Sequence, residues 1–91
     1  MTKVACLVRL TGRVQGVSFR AWTRDEAQTL AVAGWIRNCN DGSVEAQLEG
    51  EPDAIEELIE LMREGPPGAK VDRVEVEEAD REGLGSFEVR P

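Results

Sequence analysis

The 91-residue sequence contains no histidine and no tyrosine, and it holds only two cysteines, two phenylalanines and two tryptophans. Without histidine, metal sites and catalytic pairs that depend on an imidazole lack their ligand or base. No run of about 18 apolar residues occurs, so we expect no membrane-spanning helix. The opening stretch, "MTKVACLVRLTG", alternates in polarity and includes Arg9, which favours a strand over a signal peptide. We therefore expect one soluble domain over residues 1–91, located in the cytoplasm.

The two cysteines, Cys6 and Cys39, could form at most one disulfide. Cys6 falls in the alternation of Val8 and Leu10, on the predicted core face of the first strand, whereas Cys39 falls in the alternation of Trp35. The two thiols are thus expected on opposite faces of one sheet, where they cannot pair. We expect both to be reduced and structural, and neither matches a metal-binding motif.

Negative charge dominates the chain, with a formal net charge of −7, but its distribution is uneven. Residues 1–37 carry a net +4, and residues 38–91 carry a net −11. An acidic protein is a poor general binder of nucleic acid or anionic membranes, so neither is expected as a partner. A small anionic ligand would meet the N-terminal half, and chance clustering on an ordinary soluble surface is the alternative.

Apolar periodicity in the first half predicts a strand over residues 3–11, then a glycine-bearing loop over 12–18. A helix follows, with Ser18 as N-cap and Phe19 at its first position. Gly34 is predicted to stop that helix.

In the second half, residues 40–43 predict the turn of a hairpin, and Pro52 suits the first turn of a second helix. The apolar stripe of this helix is typical of a core face, and the Gly-Pro-Pro-Gly run at 65–68 ends it. Two more strands are predicted, with apolar residues Val71, Val74 and Val76 in the first and Phe87 and Val89 in the second. The resulting order indicates an α+β fold, a ferredoxin-like split β-α-β (βαββαβ) sandwich with two helices on one face of an antiparallel sheet.

This topology predicts where a ligand would bind. The first two strands of the unit run parallel, so the loop at 12–18 and Asn38 meet at one edge of the sheet. Gly12 and Gly16 allow a tight turn and a close approach to a ligand. The following helix start offers unpaired N–H groups, and Arg20 in its first turn can add a two-pronged contact. Together they predict a cradle for a phosphoryl group, although the spacing alone also fits a purely structural turn, and it is neither a Walker A loop nor G-x-G-x-x-G.

Longer stretches carry a resemblance to a known family. "GRVQGVSFR" followed by "GWIRNCNDGSVEA" resembles the paired signature of the acylphosphatase family, and "GPPGAKVDRVEV" and the closing "FEVR" extend the similarity over nearly the whole chain. The resemblance implies hydrolysis of a carboxyl–phosphate anhydride without metal or cofactor. It implies that Asn38 orients the attacking water, and that the phosphoryl group is held by Arg20 together with the backbone amides of Arg13, Val14, Gln15, Gly16, Val17, Ser18 and Phe19.

The chemistry of the residues agrees with such a reaction. The sequence has no Cys-x5-Arg pattern, since the sixth residue after Cys39 is Glu45. Phosphocysteine and binuclear-metal routes therefore have no evident apparatus. An acyl phosphate needs less help than a phosphate ester because its leaving carboxylate is a weak base, so orientation and electrostatic stabilisation suffice.

A different class of function stays open, a non-catalytic ferredoxin-like module that binds a small anion. An RNA-binding version would need exposed aromatic side chains on the sheet, and Trp35 alone is a thin platform. We expect an enzyme that acts on a small acyl phosphate as a monomer. The sequence does not indicate the physiological acyl group.

Overall fold

The computed structural model describes residues 2–91, which form five strands and two helices. Their bounds in chain order are β1 Val4–Arg13, α1 Phe19–Thr29, β2 Ala33–Asn38, β3 Val44–Gly50, α2 Pro52–Glu64, β4 Lys70–Glu78 and β5 Phe87–Val89. Every predicted element is present, and the β-α-β-β-α-β order with a short closing strand is confirmed.

The strands form one sheet in the order β4-β1-β3-β2-β5. β1 lies between β3 and β4 and is antiparallel to both, and β3 is antiparallel to β2. β1 and β2 therefore run in the same direction with β3 between them, as predicted. β5 pairs in parallel with β2, so the ferredoxin-like sheet is mixed once the closing strand is included.

Both helices lie on one face of this sheet and enclose the core. Leu10, Ile36 and Leu48 from the strands and Leu58 and Met62 from α2 are fully buried there. The predicted stripe of α2 is confirmed as its buried face. The opposite face of the sheet carries polar side chains such as Glu45, Gln47 and Glu49.

Gly12 does not shape the ligand loop as the sequence predicted, because β1 continues to Arg13. A shift in register between Thr11 and Gly12 bends the strand against β4. Gly12 has a φ of 121°, and a Cβ there would lie 2.2 Å from the Lys70 carbonyl oxygen. Glycine is required at position 12 because the backbone of the neighbouring strand β4 lies so close to it.

Gly34 does not stop α1, which ends at Thr29. The reversal occurs at Ala31, whose φ is 57°. Gly34 lies inside β2, where a Cβ would sit 1.8 Å from the Gln47 carbonyl oxygen. Glycine is required at position 34 because the backbone of β3 lies so close to it.

Both cysteines carry free thiols, so the prediction that they do not pair is confirmed. Cys6 belongs to the core, and burial raises the pKa of its thiol. Cys39 is half-buried directly after β2. Neither helix within residues 2–91 has the length and apolar character needed to cross a membrane.

Candidate active site

The C-terminal ends of β1 and β2 meet at one edge of the sheet, as the topology predicts. A cavity of about 350 Å³ opens at this edge. Arg20 and Asn38 both line it, although they are far apart in the chain. The remaining lining residues are Val14, Gly16, Ser18, Phe19, Ala21 and Val89.

The loop between β1 and α1 has an unusual backbone. Gly16 has a φ of 74° and Ser18 a φ of 60°, while Val17 between them stays on the negative side. Such alternation turns successive N–H groups towards one concave side and forms a nest that suits an anion. A Cβ placed on Gly16 would meet nothing within 4 Å, so the backbone here is open to a ligand.

The start of α1 adds further donors. Ser18 occupies the predicted N-cap position, but its left-handed backbone leaves the side chain without a capping hydrogen bond. Its carbonyl oxygen accepts the Trp22 N–H at 3.0 Å. The first turn contains no acidic residue, so no side-chain charge of the helix offsets the positive end of its dipole.

Arg20 is held in place from the C-terminal segment. Its Nη1 donates to the Arg90 carbonyl oxygen at 2.7 Å, and the Arg90 N–H donates to the Ile36 carbonyl oxygen at 2.9 Å. The guanidinium is thereby fixed relative to β2, with its other donors available to a ligand in the cavity.

Asn38 presents an acceptor that has no partner. Its Oδ1 atom is shielded from solvent and accepts no hydrogen bond, one of three such side-chain atoms within residues 2–91. Of the three residues, only Asn38 lines this cavity.

The turn after Asn38 is rigid. Cys39 N–H donates to the Ser43 carbonyl oxygen at 2.8 Å, and Asp41 Oδ1 accepts both the N–H of Ser43 at 2.9 Å and its hydroxyl at 2.6 Å. These two bonds, aided by Arg9, hold the pKa of the Asp41 carboxyl below its usual range. Gln15 Nε2 ties the preceding loop to this turn through the carbonyl oxygens of Cys39 and Ser43.

Not every residue predicted for the cradle lines the cavity. Arg13, Gln15 and Val17 are not among its walls, and Arg13 belongs to β1, where it pairs with Lys70. Sequence reasoning missed three contributions, the side-chain amide of Gln15, the carbonyl of Arg90, and Val89 in the wall. Each depends on residues distant in the chain, so no local pattern signals them.

A second cavity of about 400 Å³ lies at the other end of the sheet, beneath residues 81–87. Glu49 lines it, but its carboxylate accepts the N–H groups of Glu82, Gly83 and Leu84 and the side-chain amide of Gln47. Burial raises the pKa of Glu49, and these hydrogen bonds outweigh burial and lower it overall. Because the carboxylate of Glu49 is already paired within the chain, this cavity is the weaker candidate.

The geometry can be compared with known proteins. The acylphosphatase family profile matches residues 6–89. An acylphosphatase of Rhizobium etli is 55% identical over 80 residues, covering 88% of this chain and 85% of the relative. The structure of an acylphosphatase from Coxiella burnetii superposes with a TM-score of 0.93 at 41% identity, covering 97% of this chain and 93% of that one. That of Bacillus subtilis gives 0.94 at 35% identity, covering 97% and 99%. This chain belongs to the acylphosphatase family.

Proposed function

We propose that this protein hydrolyses acyl phosphates at the cavity that Arg20 and Asn38 share. Water attacks phosphorus, the bond from phosphorus to the bridging oxygen breaks, and its electron pair leaves with the carboxylate. A dianionic acyl phosphate and water thus give a carboxylate and a dihydrogen phosphate ion. The observation that carries the proposal is a single cavity lined by Arg20, by the open backbone of the loop and by Asn38.

Arg20 and the loop backbone are proposed to bind the phosphoryl group. The positive φ of Gly16 and Ser18 and the uncapped start of α1 aim partial positive charge at the cavity. The carbonyl of Arg90 orients the guanidinium without neutralising it. We propose that the backbone N–H groups of residues 13–19 together bind the phosphoryl group. The side chains of Arg13, Gln15 and Val17 take no part in this binding.

Asn38 is proposed to hold the attacking water. Its side-chain amide offers a donor and an acceptor, which suffice to hold a water molecule oriented towards phosphorus. A neutral amide suits this role because a carboxylate would repel the phosphoryl oxygens. A proton of the water passes to a phosphoryl oxygen of the substrate, which serves as the base in the absence of histidine.

The reaction is proposed to need no metal or cofactor. Residues 2–91 bring together no group of three His, Cys, Asp or Glu side chains suited to a metal ion. The acidic residues of the second half lie mainly on solvated faces. We also propose that the protein works as a cytoplasmic monomer without nucleic-acid or membrane partners, in keeping with its acidic charge and free thiols.

The second candidate function is a small-anion binding module that lacks turnover. An RNA-binding role is disfavoured because Trp35, on the outer face of the sheet, is only 8% exposed, and the guanidinium groups of Arg37 and Arg90 lie 5.3 and 5.0 Å from the centre of its ring. The 55% identity to a relative named acylphosphatase favours catalysis.

Release of inorganic phosphate from acetyl phosphate and benzoyl phosphate tests the function. We expect turnover by the purified chain that is unchanged after exhaustive chelation. Binding of inorganic phosphate without turnover would favour the binding module. Turnover lost on chelation and restored by one divalent ion would contradict the metal-independent mechanism.

A further inference from the structure

The side chain of Gln15 links two parts of the site that the backbone leaves separate. Its Nε2 donates to the carbonyl oxygens of Cys39 and Ser43, both at 2.8 Å. One amide nitrogen thus uses both of its protons on carbonyls 24 and 28 residues away. Within residues 2–91, these are the only hydrogen bonds that join the loop at 13–19 to the turn at 39–43.

Apolar side chains anchor the loop to the core. Val14 and Phe19 are each 1% exposed and hold its two ends. Between them, Val17 packs against the core, and the Ser18 carbonyl oxygen accepts the Trp22 N–H at 3.0 Å. None of these contacts reaches the turn at 39–43, so within residues 2–91 only Gln15 ties the loop to that turn by hydrogen bonds.

The turn, by contrast, keeps its shape without Gln15. Cys39 N–H donates to the Ser43 carbonyl oxygen, and Gly42 N–H donates to the Cys39 carbonyl oxygen at 3.2 Å. Asp41 closes the turn a third time through Ser43. Loss of the Gln15 amide would consequently displace the loop and leave the turn and Asn38 where they are.

We infer that Gln15 is a positioning residue that fixes the distance between the loop amides and Asn38. The inference rests on the proposed function, in which the loop holds the phosphoryl group and Asn38 holds the water. The loop can follow a bound phosphate, so binding tolerates a shift, whereas in-line attack depends on the relative placement of the two reactants. A misplacement of about 1 Å can lower a rate on the order of 100-fold.

A double-substitution cycle tests whether Gln15 acts through Asn38. We expect Gln15→Ala to lower kcat about 10- to 100-fold in the wild-type background and less than about threefold in the Asn38→Ala background. The inhibition constant of inorganic phosphate should change less than about threefold in both. An equal loss of kcat in both backgrounds, or an unaltered kcat, would overturn the inference.

Gln15→Glu supplies a second and independent readout. The glutamate side chain is as long as that of glutamine. At neutral pH, however, its carboxylate places two negatively charged oxygens next to two carbonyl oxygens and has no proton to donate. Protonation restores one donor, so we expect turnover relative to wild type to recover as the pH falls towards the carboxyl pKa. Gln15→Ala should show no such recovery. Full activity of Gln15→Ala with loss in Gln15→Glu alone would mean that charge near the phosphate matters and positioning does not.

Gln47 offers a matched control at the other end of the sheet. Its Nε2 also donates to a distant backbone carbonyl, that of Asp80 at 2.9 Å, and the residue is 3% exposed. We expect Gln47→Ala to lower Tm at least as much as Gln15→Ala while leaving kcat unchanged. A loss of kcat in proportion to the loss of Tm in both variants would overturn the inference.

The failure of this inference can be told apart from the failure of the proposed function. Absence of turnover in the wild type would remove the proposed function, whereas a Gln15→Ala variant with unaltered kcat would remove only this inference.

Discussion

The two ends of the sheet use backbone N–H groups in opposite ways. At one end, the N–H groups of Glu82, Gly83 and Leu84 converge on the carboxylate of Glu49, which the chain itself provides. At the other end, the loop at 13–19 and the start of α1 surround an open cavity, and no side-chain anion of the described residues fills it. At the first end the N–H groups already have an anionic partner within the chain, whereas at the second end they have no such partner among the described residues.

The comparison separates groups that stabilise the fold from groups that await a substrate. Glu49 is 4% exposed, and both of its oxygens are paired. Asn38 lines the open cavity together with Arg20, and its Oδ1 accepts no hydrogen bond from the described residues. Substitutions at the two ends should therefore affect different observables, folding at one end and turnover at the other.

Arg20 at the open end should give the largest effect. We expect Arg20→Ala and Arg20→Lys to lower kcat/KM by about 30- to 1,000-fold, since loss of a charged donor costs about 2–4 kcal/mol in the transition state. A lysine lacks the two parallel donors that match a phosphoryl group. The inhibition constant of inorganic phosphate should rise sharply in Arg20→Ala. A near-normal kcat/KM for Arg20→Lys would remove Arg20 from the site.

Asn38 should separate turnover from binding. We expect Asn38→Ala to lower kcat on the order of 100-fold and to leave phosphate inhibition nearly unchanged, because the amide orients the water and does not hold the phosphoryl group. Asn40→Ala is the matched control, an exposed asparagine two residues away, and should behave as wild type. If Asn38→Ala keeps its turnover, or loses phosphate affinity as Arg20→Ala does, the two roles are wrongly divided.

Glu49 at the closed end should affect stability alone. Glu49→Gln replaces charge-assisted hydrogen bonds by weaker ones and places an amide NH₂ towards other donors, so we expect a loss of about 1–2 kcal/mol in the free energy of unfolding. Urea denaturation measures this loss, and kcat/KM should stay within about twofold of wild type. A large fall in kcat/KM with little loss of stability would break the contrast between the two ends.

The Glu49 carboxylate should also make the free energy of unfolding depend on pH. The pKa of Glu49 is lowered in the folded state from an ordinary value of 4.5, so its stabilisation is fully present above that value. The stabilisation disappears as the pH falls through the folded-state pKa. The stability difference between wild type and Glu49→Gln should thus be constant from neutral pH to about pH 5 and shrink below pH 4.5. A difference that grows on acidification would contradict the lowered pKa.

Ala31 should give the smallest effect, and it lies at the closed end. Its φ of 57° is left-handed, and the residue is exposed. We expect Ala31→Gly to raise the free energy of unfolding by about 0.5–1 kcal/mol, because relief of the left-handed conformation exceeds the added entropy of the unfolded chain. Turnover should not change. Destabilisation in a urea titration would show that no strain is stored there.

Much of the fold follows from local pattern in the sequence. The stripe of Ile55, Leu58, Ile59 and Met62 places α2, and the alternation around Val44 and Leu48 places β3. The topology then brings Arg20 and Asn38 to one edge, and both line one cavity. Their chemical roles stay predictions.

Two glycines show what the local sequence pattern cannot predict, which is contact with a distant strand. Gly34 was interpreted as the stop of α1 and Gly12 as a turn residue close to a ligand, but each is required by a carbonyl oxygen of a neighbouring strand, of Gln47 and Lys70 respectively. The Gln15 amide and the Arg90 carbonyl pair with residues far along the chain. Such contacts are set by tertiary packing and leave no mark in the adjacent sequence.

The sheet order also bears on how the protein is made. β1 precedes the other four strands in the chain, yet its two neighbours are β3 and β4, so Cys6 pairs with Leu48 on one side and Glu78 on the other. The apolar segment "VACLVRL" therefore has no hydrogen-bonding partner strand until residues 44–50 have been synthesised. Pairings so distant in sequence close slowly, and we expect folding in milliseconds to seconds. During that interval the unpaired apolar strand β1 is exposed to aggregation.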